Sequence, residues 1–196
     1  RYRTSTVIGE SGREKLLRYS LITGNGVPYI WEFGSAAKHH KLYAPWLKTE
    51  NSGAGMLGMR GAVGSDITLF RDAAREIKAI LDEEGVGHIP VGVDVVEPPM
   101  LFELQKAGIE VRDGQQTMLL AREIKSHDEI TLLNMASAMV DGVYQDIAEA
   151  LKPGIKETEI VALAAGRLYE MGSDCVEAIN SISGERCSPH PHVFSD

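Results

Sequence analysis

A chain of 196 residues has room for one large domain or two small ones. Hydrophobic residues at 43% and charged residues at 24% are ordinary for a globular protein, and the longest apolar runs fall far short of a membrane span. The net charge of −8 and the scattered Lys and Arg argue against nucleic acid as a partner.

Two cysteines, Cys175 and Cys187, make no disulfide framework, so a reducing, cytoplasmic compartment is expected. The opening stretch RYRTSTVIGESGREKLLRYS has no apolar core of the kind a secretory leader carries, and no leader is expected in it. In residues 16–33, two β-rich runs flank Gly24-Asn25-Gly26, which predicts a hairpin. Residues 34–65 read as irregular. Their glycine-rich part, TENSGAGMLGMRGAVGS, matches neither a dinucleotide fingerprint nor a P-loop.

Residues 66–84 predict an amphipathic helix, with Asp66 as cap, Leu69, Ala73, Ile77 and Ile80 on its apolar face, and Gly85 as its stop. A strand over 89–95, a short helix opened by Pro98-Pro99 and closed by Gly108, and a strand over 109–113 follow. This order predicts an α/β layer with a partly parallel sheet.

After Gly114 the texture changes. Ser126 and Glu129 form a capping box ahead of a long helix. Its stripe is Ile130, Leu133, Ala136, Val140, Val143, Ile147 and Leu151, and Pro153-Gly154 ends it. A second helix over about 156–171 carries Ile160, Leu163, Ala164, Leu168 and Met171, and stops at Gly172. The run 175–183, CVEAINSIS, alternates enough to predict a strand.

No self-contained catalytic signature is present. Cys187, His190 and His192 supply zinc-binding atom types, but three ligands around a Pro fall short of a tetrahedral set. Either histidine can serve as a general acid, and the pair can equally be surface residues in a Pro-rich turn. His39-His40, beside Trp31, Tyr43 and Trp46, reads as an aromatic rim or dimer contact, or as side chains packed on the core.

The segment AREIKSHDEITLLNMASAM (121–139) resembles the entry to the catalytic domain of the creatinase/prolidase/Xaa-Pro aminopeptidase family, through Arg122, Ile124, Lys125, Ser126, Glu129, Ile130, Leu133 and Ala136. LKPGIKETEI (151–160) resembles that family's P-G-x-T-E connection, with Lys156 where a Thr cap is usual. INSISGERCSPHPHVFSD resembles its strand and loop bearing a substrate-facing histidine. The resemblance spans most of the chain.

It implies an α/β N-terminal domain over 1–118, incomplete at its start, then the first part of an α+β pita-bread catalytic domain over 119–196. It further implies hydrolysis of C–N bonds in small peptides or amides. His190 or His192 would assist a metal-bound hydroxide. Two divalent ions (Mn, Co or Zn) would be held by ligands beyond Asp196, with none in this chain. Some relatives act on ectoine or sulfonium compounds, creatinase-like members need no metal, and others only bind. A homodimer is expected, with Trp31, His39 and Trp46 as rim residues, and no nucleic acid or membrane as partner. The chain is expected to be an internal fragment, inactive alone.

Overall fold

The computed structural model describes residues 18–32, 39–55, 68–188 and 195. They fall into two compact units, Arg1–Glu123 and Ile124–Asp196. The sequence boundary at 118/119 falls inside helix α4 (Gln115–Glu123), and the division between units comes at that helix's end.

The first unit opens with the expected hairpin. β1 (Tyr19–Ile22) and β2 (Pro28–Glu32) pair antiparallel, Tyr19 opposite Trp31 and Ile22 opposite Pro28. The turn is closed by Gly26 N–H donating to the Thr23 carbonyl at 2.8 Å and Thr23 N–H to that of Val27 at 3.1 Å. Strand alternation sends neighbouring side chains to opposite faces. Trp31 therefore joins Phe70 and Ala74 in the main core, while Ile30 packs with Ala44 and Leu47.

The glycine-rich stretch departs from its reading as a loop. Ser52–Ala54 form β3, parallel to β2, with Gly53 opposite Trp31. A Cβ on Gly53 would lie 3.0 Å from Trp31 Cδ1, so glycine here answers a close approach rather than a turn. α1 (His40–Tyr43) also interrupts the region expected to be irregular.

Helix α2 (Leu69–Glu83) buries Phe70, Ala73, Ala74, Ile77 and Leu81. Its buried stripe is thus rotated from the predicted one, and Leu69 and Ile80 sit at its margin. Asp66, the expected cap, lies outside the described residues. The helix stops as predicted at Gly85, whose φ of 74° is costly for any residue with a Cβ. There Gly85 N–H reaches the Asp82 carbonyl and Val86 N–H that of Leu81, and α3 (Pro98–Lys106) closes with the same bond pair.

β4 (Val91–Val93) and β5 (Val111–Asp113) flank α3 and pair parallel, as a two-stranded sheet of their own. The sequence had no separate signal for α4, all of whose residues are at most half-buried. Asp113 Oδ1 accepts from Gln115 N–H at 2.8 Å at its start.

In the second unit, α5 (His127–Ala150) begins on the predicted capping box. Ser126 N–H donates to Glu129 Oε2 at 2.7 Å, and Glu129 N–H to Ser126 Oγ at 3.3 Å. α6 (Glu157–Glu170) packs on its C-terminal half. Val143, Ile160 and Ala164 are buried there, and Arg167 bridges Asp146 at 2.7 Å and Glu170 at 2.6 Å. Both carboxylates raise the Arg167 pKa, Asp146 first. Ile130 and Leu133, on the predicted stripe, remain about half exposed.

Residues 175–183 do not form the predicted strand. Alternation supplies a strand's faces but not its ladder, and no described segment of this unit pairs with it.

Candidate functional site

The loop after Ser181 is the site to which the sequence assigns chemistry. Its base is held from α6. Glu157, the first residue of that helix, accepts at Oε1 from Ser183 N–H at 2.5 Å and from Ser183 Oγ at 2.7 Å. Its Oε2 accepts from Arg186 Nη1 at 3.1 Å. The Glu157 side chain is only 10% exposed, so these charge-assisted bonds are shielded from water.

Local geometry shapes the rest. Gly184 takes φ 63° and opens a short 3₁₀ turn over Gly184–Cys187. The Cys187 thiol donates to the Ile182 carbonyl at 3.1 Å, and Ser195 Oγ donates to that of Ser181 at 2.8 Å. The two ends of the loop are therefore tied to one segment, 181–183.

Lys156, which stands where the family pattern has Thr, caps α6 incompletely. Its N–H donates to Glu159 Oε2 at 2.9 Å, but an ammonium has no acceptor to return to the helix. A groove of about 630 Å³ lies between this loop base and the two helices, with Val140, Tyr144, Leu151, Ile160 and Ile179 among its lining residues.

His190 and His192 lie outside the described residues. The other expected site residues are in the first unit. Trp31 is 2% exposed; it stacks on Tyr19 with ring centres 4.8 Å apart, and its Nε1 donates to Glu76 Oε1 at 3.0 Å. Burial, then the Glu76 charge, raises the Tyr19 pKa. These contacts make Trp31 a core residue of its unit. His39 is exposed and Trp46 is 59% exposed.

Sequence reasoning missed Glu157. Its signal was available in the P-G-x-T-E pattern, whose final Glu it matches, but nothing in the sequence pointed to its partners in the loop. Among the described residues, no group of three or more His, Cys, Asp or Glu is placed to hold a metal ion. No helix of the described residues is long and apolar enough to cross a membrane.

No protein-family model matches the chain. Two curated relatives are similar to it. Dimethylsulfoniopropionate lyase DddP of Roseovarius nubinhibens is 23% identical over 178 residues, and that of Roseobacter denitrificans is 23% identical over 181. Each comparison takes in 88% of this chain and 39% of the relative, so the chain spans about two fifths of the length of the curated relatives it matches. The similarity is a distant one to enzymes of the pita-bread class. It supports that superfamily at most and does not extend to an Xaa-Pro peptidase.

Proposed function

We infer that this chain is part of a pita-bread enzyme in which a loop histidine, His190 or His192, acts as acid or oxyanion partner on a small substrate. The Glu157 clasp carries this reading. Two motifs that the family resemblance links only by their order, the P-G connection and the S-G loop, are joined here by one carboxylate. A loop anchored at its base can hold a histidine within reach of a reacting atom, and such positioning is a large part of catalysis.

The first reaction class is hydrolysis of a C–N bond in an Xaa-Pro peptide or amide. There the imidazolium protonates the departing nitrogen. The two divalent ions implied by the resemblance find no donor set among the described residues, so the proposed role of the loop rests on the histidine alone. A second class is favoured by the names of the relatives, which are lyases of a sulfonium carboxylate. Elimination from such a compound needs a base for a carbon-bound proton, with the neutral sulfide as leaving group, and a neutral loop histidine can take that proton.

The whole protein, proposed to be a cytoplasmic homodimer with exposed His39 and Trp46 at the rim, should turn over one member of a short panel. Incubation with an Xaa-Pro dipeptide, creatine and dimethylsulfoniopropionate separates the classes. Release of proline or urea supports hydrolysis, and release of dimethyl sulfide supports elimination. Saturable binding of a peptide with no turnover of any panel member would favour a non-catalytic binding module instead.

A further inference from the structure

The first unit contains a cavity of about 420 Å³ between β1, α2, β4 and α3, with no part in the loop chemistry above. Its wall is mostly apolar, with Leu21, Phe70, Ile77, Leu81, Met100 and Leu104 drawn from the main core. That volume lies within the range of small-molecule pockets, which pair an apolar lining with a few polar groups.

The polar groups in this wall are unevenly matched. Arg18, Asp94 and Glu97 are its charged residues. Arg18 Nε stands 3.0 Å from Glu32 Oε2, an ion pair outside hydrogen-bond geometry. Asp94 Oδ1 is buried and, among the described residues, accepts no hydrogen bond. Burial raises the Asp94 pKa, and the Arg122 charge lowers it less; the Arg122 Nε is turned back to the Met118 carbonyl at 3.1 Å.

Asp94 directly follows β4, at the carboxyl end of a strand in a parallel pair. Ligands of open α/β sheets bind at that end of the strands. A buried carboxylate oxygen without a donor is costly to keep, and the partner that relieves it best is a charged N–H donor.

We propose that this cavity binds a small molecule with an apolar body and a primary ammonium head, the head seated on Asp94. A sulfonium group has no N–H and cannot fill that role, so dimethylsulfoniopropionate does not fit this cavity's head-group site. The site lies wholly within the first unit, and its test is independent of the loop reading.

Titration calorimetry of the protein with n-hexylammonium chloride tests it, with 1-hexanol as the neutral isostere. Saturable ammonium binding is expected, about tenfold or more tighter than the alcohol, a difference in the range that a desolvated charge pair supplies. Asp94→Asn should remove that preference and leave the alcohol's binding unchanged. Equal affinity for amine and alcohol on the unaltered protein would overturn the proposal, as would the absence of amine binding or full amine affinity in Asp94→Asn. The amine–alcohol comparison needs no variant, so it decides even if Asp94→Asn fails to fold.

Discussion

At the scale of single residues, Glu157 has the most consequence. It receives one backbone N–H, one hydroxyl and one guanidinium from the loop. Glu157→Ala leaves these donors with no common acceptor, and hydrogen bonds to charged groups contribute about 1.5–3 kcal/mol each. Hydrogen exchange at the Ser183 amide should accelerate sharply in that variant, while exchange in the middle of α5 stays unchanged. Glu157→Gln keeps a carbonyl for Ser183 but loses the ion pair to Arg186, so its exchange rate should fall between the two. Equal protection of Ser183 in all three proteins would mean that Glu157 does not hold the loop. Gly53 is the second such residue. Gly53→Val drives a branched side chain at an indole fixed by Tyr19 and Glu76, an overpacking that costs about 1–3 kcal/mol in denaturant unfolding.

At the scale of elements, caps and clamps were unequally visible. The Ser126–Glu129 box could be read directly, because both partners lie three residues apart on one helix start. Ser126→Ala should cost about 1 kcal/mol of stability. The stops at Gly85, Gly108 and Gly172 were legible for the same local reason. Glu84 was not, because its partners are far away in sequence. It accepts from the Tyr29 hydroxyl at 2.8 Å and from Asn25 Nδ2 at 3.2 Å, fastening the end of α2 to the hairpin. That bond, followed by burial, pushes the Tyr29 pKa up to about 12.

The same bonds, Tyr29 first, hold the Glu84 carboxyl below its ordinary range, and the N–H of Ser126 does so for Glu129. A depressed carboxyl pKa contributes stability that is fully present above the unfolded value, about 4.3, and is lost as pH falls below it. Glu84→Gln and Glu129→Gln should each flatten the acid limb of a stability–pH curve; Glu129→Gln leaves its alkaline limb unchanged, whereas Glu84→Gln also changes that limb, because the Glu84 bond is the first cause of the raised Tyr29 pKa. The strand β3 was missed, and residues 175–183 were misread as a strand, for one reason. Strands are completed by partners, and a single segment's alternation or glycine content does not reveal them.

At the scale of the whole molecule, the chain divides into two compact units after Glu123, whereas the change of texture after Gly114 set the expected boundary at 118/119. The site was legible only as a loop with histidines. What holds that loop could not be read, because the holding residue lies on another element, 26 residues from Ser183. Trp31 is buried within its unit, while Trp46 lies at the surface. Interface and core aromatics have the same composition, so burial separates them where sequence does not.

In the proposed function, the loop leading from Ser183 carries the acid–base group. That role is tested most directly by the turnover number of the whole protein on whichever panel substrate it accepts, compared with His190→Ala, His192→Ala and the double variant. One single variant and the double variant should lose about 10²-fold or more, the range of general acid–base catalysis, with unfolding midpoints unchanged. Full turnover in the double variant would mean that neither histidine serves the reaction.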